Sequence, residues 1–180
     1  MRIHKDESVA ILVDMQERLF PHIHEHEQLE QNMLRLLRGL NLLEMPVLVT
    51  EQYAKGLGPT IPSVQAELVS YAPMEKMSFS CCGAQSVMSA LSEAHAKTVL
   101  LFGIEAHACV LQTAVDLLES GYTPVVVEDC ISSRKLNDKQ VAVARMRQEG
   151  AIITTYESVL LELCVEAGTE TFKAISKTIK

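Results

Sequence analysis

Short apolar runs alternate with helical patterns along the whole chain, and this alternation restricts the folds that the sequence can adopt. Residues 8–13 are apolar at nearly every position, which is typical of a strand buried on both faces of a parallel sheet. Apolar residues over 29–43 recur instead at the spacing of an amphipathic helix. Further strand-like runs occupy 47–50, 97–102, 123–127 and 151–154, and a short extended stretch surrounds residue 76. Because parallel strands need helical crossovers, the pattern predicts an α/β fold, namely a three-layer α/β/α, doubly wound, Rossmann-like structure with a mostly parallel sheet of about six strands.

Length and charge limit the possible classes of protein. The 180 residues suffice for a substantial core, and no repeat or linker divides them, so we expect a single domain over 1–180. A net charge of −7 without a Lys/Arg-rich stripe argues against nucleic acid and anionic membranes as partners. No apolar run approaches the ~20 residues of a membrane span. The hydrophobic fraction of 48% is high and predicts a homo-oligomer that covers part of the apolar surface.

The cysteine content and the N-terminus indicate a cellular compartment. Five cysteines are an odd number, and they include no CxxC pair. Residues 1–7 contain neither the apolar core of a signal peptide nor an Arg/Ser-rich transit leader. We therefore expect a reducing, cytoplasmic location.

Cys109 is the first candidate for a chemical role. The strand-like run before it stops at Gly103, and a helical pattern starts six residues later with Cys109 in its first turn. Unpaired N–H groups and the positive end of the helix dipole at that position are expected to favour the thiolate, which is the nucleophilic form. The alternative is that Cys109 is a small hydrophobic core residue.

Asp14 and Lys76 are weaker candidates when each is considered alone. Asp14 directly follows the first strand, at the edge of an open α/β sheet where ligands bind, but an aspartate there also commonly makes an Asx-turn or a cap. Lys76 lies in the short extended stretch, where an unpaired lysine is usually a solvated surface charge.

Metal and cofactor sites find little support in the sequence. His22, His24 and His26 alternate as strand-borne metal ligands would, but Pro21 in front of them indicates a loop. The first strand is not followed by GxGxxG, and there is no Walker lysine motif. The sequence therefore predicts neither a metal nor a nucleotide cofactor.

Three segments resemble, in the same order, the motifs of the isochorismatase-like cysteine hydrolase family. They are residues 10–16 (AILVDMQ), 75–80 (EKMSFS) and 103–110 (GIEAHACV), and the likeness covers nearly the whole chain. The resemblance implies that Asp14, Lys76 and Cys109 form a catalytic triad. It also implies a non-proline cis peptide between Ile104 and Glu105, beside an oxyanion hole built from backbone N–H groups of the turn that ends at Cys109.

The resemblance further implies a reaction class. In that family the cysteine thiolate attacks an sp² carbon, commonly a carbonyl, and the aspartate moves a proton to the leaving amine. The presence of Cys109 places the chain beside the amidases and carbamoyl hydrolases, which cleave C–N bonds of small molecules. Residues 50–53 (TEQY) lack the Asp-x-His pair of nicotinamidases, and they are most similar to uncharacterised members whose substrates are not established. The predicted pocket-lining residues are Gln16, Glu51, Tyr53, Phe79, Glu105 and His107.

Two other classes of function remain open at this point. The chain could be a non-catalytic oligomeric or binding protein that retains the fold, because a fold does not fix a function. A thiol-redox protein that uses Cys81, Cys82 and Cys109 is disfavoured by the lack of a CxxC pair.

Overall fold

One parallel sheet organises the structure, a computed structural model that describes residues 1–180. Its strands are β1 (Ser8–Val13), β2 (Val47–Gln52), β3 (Met74–Lys76), β4 (Thr98–Ile104), β5 (Thr123–Ser132) and β6 (Ile152–Thr154). All neighbouring strands pair in parallel, in the order β3-β2-β1-β4-β5-β6. The strand order therefore reverses direction between β1 and β4, and this is the topological switch point of a doubly wound sheet.

Helices cover both faces of this sheet. The helices are α1 (His26–Leu42), α2 (Ala54–Leu57), α3 (Pro62–Gln65), α4 (Gln85–Glu93), α5 (Leu111–Glu119), α6 (Leu136–Glu149), α7 (Tyr156–Cys164) and α8 (Glu170–Thr178). Buried residues of α1, α7 and α8 form one apolar core, and those of α4, α5 and α6 form a second. The predicted three-layer α/β/α architecture is confirmed.

Strand β1 shows why the sequence folds in this way. All six of its residues are buried, Ala10 and Leu12 in one core and Val9, Ile11 and Val13 in the other. A side-chain period of two thus places apolar groups on both faces, as the continuous apolar run predicts. None of the helices combines the length and the apolar composition that a membrane crossing requires.

Gly103 allows β1 and β4 to approach each other at the switch point. Its φ of +124° lies in a region that L side chains rarely adopt, and the pairing register of β4 with β5 shifts beside it. A Cβ at this position would overlap the carbonyl oxygen of Val13 and would lie 2.7 Å from the Val13 nitrogen. Only glycine fits without moving the strand that leads to Asp14.

We expect Gly103→Ala to destabilise the protein by at least about 3 kcal/mol, because a forbidden φ and a backbone overlap act together. Chemical denaturation would measure the loss. Gly121→Ala is the matched control, since Gly121 also has a positive φ, +83°, but no atom lies within 4 Å of its added Cβ. An equal loss of stability in both variants would show that the close contact between Gly103 and the Val13 backbone does not cause the destabilisation.

Candidate active site

A buried ion pair lies at the carboxyl ends of β1 and β3. Lys76 Nζ is 2.6 Å from Asp14 Oδ2, and the two side chains are at most 1% exposed. The same ammonium group donates to the carbonyl oxygens of Ser78, at 3.1 Å, and Phe79, at 2.9 Å. All three of its protons are therefore directed at oxygen atoms, and the interpretation of Lys76 as a surface charge is wrong.

Asp14 is held at both carboxylate oxygens. Thr50 Oγ1 donates to Oδ1 at 2.7 Å, on the side away from Lys76. The φ of Asp14 is +48°, which is uncommon for a residue other than glycine and is found where the surroundings enforce it. Burial is the largest single effect on the pKa of Lys76 and lowers it, but Asp14, Cys81 and Cys109 together outweigh burial and the net effect raises this pKa. The pair therefore consists of an ammonium and a carboxylate.

Cys109 lies in a π-helical turn, Ala106–Val110, that links β4 to α5. Cys109 is 5% exposed, and its thiol donates a hydrogen bond to Gln52 Oε1 at 3.1 Å. Burial raises the pKa of the Cys109 thiol, and the negative charge of Asp14 raises it further, while Lys76 opposes the shift only in part. The pKa of Cys109 is therefore shifted upward, opposite to the direction expected from the start of a helix.

Gln52 contacts the thiol and was absent from the predicted pocket. Its own backbone is clamped by Gln16, whose Nε2 donates to the Gln52 carbonyl at 3.0 Å and whose Oε1 accepts from the Gln52 N–H at 2.8 Å. The sequence contains one signal that identifies Gln52. Side chains two apart in a strand share a face, so Gln52 lies on the same face as Thr50, the partner of Asp14.

Hydrogen bonds with Ser133 and Arg134 hold the turn that precedes Cys109. The peptide bond between Ile104 and Glu105 is cis. The Glu105 carboxylate accepts from the backbone N–H of Arg134 at 3.1 Å and from its Nε at 2.8 Å. Ser133 Oγ accepts the backbone N–H of His107 at 3.3 Å and lies 2.9 Å from its Nδ1. The His107 N–H group therefore already has a partner within the protein.

The other predicted pocket residues have different surroundings. Glu51 is buried and accepts from Thr60 N and Thr60 Oγ1, at 2.7 and 2.8 Å, and from Tyr71, so its carboxylate is held away from the triad. Tyr53 and Phe79 follow β2 and β3, and they are 47% and 54% exposed. Both residues contact Lys76 through their backbones, because the Tyr53 N–H donates to the Lys76 carbonyl at 3.0 Å and the Phe79 carbonyl accepts from Lys76 Nζ.

The cysteines and histidines do not combine into another centre. All five cysteines are free thiols. The ring of His26 packs edge-on against Phe20, and His24 Nε2 lies 3.7 Å from Glu25. No group of three or more His, Cys, Asp or Glu side chains is arranged to hold a metal ion. Independence from a metal and from a cofactor stays a prediction.

Known proteins are similar to this chain in sequence and in fold. Residues 8–158 match the isochorismatase domain. Isochorismatase domain-containing protein 2 of Macaca fascicularis is 44% identical over 180 residues, which cover 99% of this chain and 86% of that protein. The structure of MAR1 ribonuclease from Caenorhabditis elegans has a TM-score of 0.93 and 38% identity, covering 99% of this chain and 92% of the other.

A more distant structure shares the fold alone. The YcaC gene product of Escherichia coli, described as an octameric hydrolase of unknown specificity, has a TM-score of 0.93 and 21% identity, covering 99% of this chain and 89% of the other. The domain match extends over most of the chain, and the relatives named above align with nearly all of it. The chain therefore belongs to the isochorismatase-like family, whose members are typically cysteine hydrolases.

Proposed function

We propose that the protein is a cysteine-dependent hydrolase that cleaves a C–N bond, in an amide, ureido or similar group, of a small molecule. The observation that carries the proposal is the grouping of a buried thiol with a carboxylate whose position is fixed by Lys76 and Thr50. Family membership suggests hydrolase activity, and the residues suggest how this chain would perform it.

In the first half of the reaction, the Cys109 sulfur attacks the carbonyl carbon while Asp14 takes the thiol proton. Because the pKa of the free thiol is raised, ionisation and attack are coupled, and the carboxylate receives the proton as the S–C bond forms. The proton then passes from Asp14 to the leaving nitrogen as the C–N bond breaks. Ammonia or an amine departs, and a thioester remains on Cys109.

In the second half, water attacks the thioester carbon and gives its proton to Asp14. The C–S bond breaks, the acid product leaves, and the proton returns to the Cys109 sulfur. An oxyanion forms in each half of the reaction, and the backbone N–H groups of Glu105 and Cys109 stabilise it. Glu105 is the residue that follows Ile104 across the cis peptide bond. The N–H of His107 is not one of these donors, because it is hydrogen-bonded to Ser133.

We also propose a homo-oligomer of single-domain chains. Three large apolar side chains lie exposed after β2 and β3, beside the site, with exposed fractions of 47% for Tyr53, 71% for Met77 and 54% for Phe79. A second subunit would remove this surface from water. The octameric YcaC structure has the same fold and is consistent with such an assembly. A cytoplasmic location remains part of the proposal.

Two other functions are tested alongside hydrolysis. One is a non-catalytic binding protein that retains the fold. The other is suggested by the C. elegans relative, described as a ribonuclease. A net charge of −7, with 16 Lys and Arg against 23 Asp and Glu, does not favour a polyanionic substrate, so the absence of nucleic-acid binding stays our prediction.

A screen of small amides and ureides for ammonia release should identify substrates. Cys109→Ala should lower turnover by about a thousandfold or more, because the nucleophile is lost. Cys109→Ser should also fail, since nothing in the site lowers the pKa of a hydroxyl sufficiently. Retention of more than about a tenth of the activity in Cys109→Ala would exclude Cys109 as the nucleophile. RNA cleavage that depends on Cys109, without any ammonia release, would favour the ribonuclease.

Asp14→Asn should have opposite effects on turnover and on thiol ionisation. Turnover should fall by at least about a hundredfold, because the proton acceptor is lost. The pH midpoint for alkylation of Cys109 should shift downward, because the negative charge that raises the thiol pKa has been removed. Asp129→Asn is the control, since Asp129 is also a partly buried carboxylate but does not contribute to the Cys109 pKa. An upward or absent shift in Asp14→Asn would contradict this account.

Light scattering at micromolar protein concentration should give a mass of at least two chains of 19.9 kDa each. The double variant Met77→Ser, Phe79→Ser should weaken the assembly, because it removes apolar contact area from the exposed surface. The matched control is Val165→Ser, which changes another exposed apolar residue, 60% exposed, in the turn after α7. A single species of one chain across this range would exclude the oligomer.

A further inference from the structure

Gln52 is the side chain beside the nucleophile that the proposed reaction does not use. Its Oε1 accepts the Cys109 thiol proton at 3.1 Å. Its Nε2 makes no hydrogen bond to the protein and is not sealed from solvent. An amide oxygen is too weak a base to take the proton from the thiol, so this contact does not activate the nucleophile. The contact instead places a neutral hydrogen-bond acceptor where the substrate must bind.

The position of this acceptor is fixed before any ligand binds. The fully buried Gln16 pairs with both backbone polar groups of Gln52 and also donates to the Gly58 carbonyl at 2.7 Å. Gln52 is moreover the last residue of β2, in a sheet that is paired on both sides of that strand. A recognition group on such a rigid element loses little conformational freedom on binding.

The charges around the site favour an uncharged ligand. Lys76 directs its three protons at Asp14 and at two carbonyl oxygens, and Arg134 is paired with Glu105. The Lys76 ammonium thus has no proton left for a ligand carboxylate, and the charge of the largely exposed Arg134 is partly neutralised by Glu105. The ligand would also have to approach the negative charge of Asp14. An anionic substrate finds no unpaired buried cation here and experiences repulsion from Asp14.

We infer that Gln52 determines the specificity of this site and selects uncharged primary amides or ureas, by accepting a ligand N–H at Oε1. The inference rests on the proposed hydrolase function and adds the class of substrate to it. Ligand binding then displaces the thiol from Gln52, and the released S–H faces Asp14 as its remaining proton acceptor. Recognition and activation of the nucleophile are coupled through one hydrogen bond.

Alkylation of Cys109 tests this recognition without a known substrate. Three probes share a reactive carbon: iodoacetamide is neutral with N–H donors, methyl iodoacetate is neutral without them, and iodoacetate is anionic. In each case the S–C bond forms, iodide leaves, and the thiol proton passes through Asp14 to solvent. The rate at Cys109, measured by peptide mass spectrometry, is divided by the rate of the same probe with N-acetylcysteine, which removes the intrinsic reactivity.

The wild-type protein should favour iodoacetamide over methyl iodoacetate by about tenfold after this correction, and iodoacetate should react slowest, since one hydrogen bond and one repulsive charge separate the probes. Gln52→Leu should reduce the first ratio to about one. Gln52→Glu keeps an acceptor and should retain part of the preference. Gln85→Leu is the control, because Gln85 is an exposed glutamine that contacts only Ser89, and it should leave the ratio unchanged.

Circular dichroism establishes that each variant is folded before the ratios are compared. A Gln52→Leu ratio equal to that of the wild type would overturn the inference, even if the protein hydrolyses amides. A preference that depends on Gln52, in a protein that releases no ammonia from any amide, would retain the recognition and refute the proposed hydrolase. With an identified substrate, Gln52→Leu should raise KM far more than it lowers kcat, whereas damage to the triad would lower kcat.

Discussion

The buried ion pair of Lys76 and Asp14 is the interaction on which the rest of the site depends. Removing two charges from water costs several kcal/mol per ion, and their attraction compensates only when the remaining hydrogen-bonding capacity is also satisfied. Here Thr50 and the carbonyl oxygens of Ser78 and Phe79 satisfy it. The two side chains therefore compensate each other in a nearly dry environment, where loss of either partner would leave an uncompensated charge.

This ionised carboxylate sets the state of the nucleophile. Desolvation and the negative charge of Asp14 both disfavour a second anion, and together they exceed the opposing effect of Lys76 on the pKa of Cys109. A protonated thiol is a poor nucleophile toward adventitious electrophiles, and it becomes reactive only when its proton can move to Asp14 during attack. The same arrangement explains why Cys81, buried near Asp14 and Thr50, also has a raised pKa, about 11, and is not a competing nucleophile.

The sequence predicts the fold, and the Asp14, Lys76 and Cys109 triad stays a prediction whose surroundings the sequence describes less well. Alternating apolar runs determine the layers, and three motifs identify Asp14, Lys76 and Cys109, although burial of Lys76 requires partners from a separate segment that periodicity does not reveal. The sequence predicts Glu51 in the pocket and a strand that ends at Thr50, whereas β2 continues to Gln52, so that Gln52 lies on the same face as Thr50 and Glu51 on the other. In a strand, a shift of one residue exchanges the two faces. The thiol pKa was predicted in the wrong direction because the depth of burial is not encoded locally.

The reversal of strand order explains why these groups meet. The chain leaves β1 and β4 toward opposite faces of the sheet, so a crevice opens between their carboxyl ends. Asp14 borders this crevice from β1 and the Cys109 turn borders it from β4, while β2 and β3 add Gln52 and Lys76 from one side. The proposed mechanism thus assigns each task to a different strand: proton transfer to β1, recognition to β2, charge balance to β3 and bond formation to the turn after β4. The strand ladder and the Gln16 side chain hold the backbone of Gln52 and not its side chain, so under the proposed mechanism a substitution of Gln52 would change ligand recognition while the ion pair and Cys109 keep their geometry.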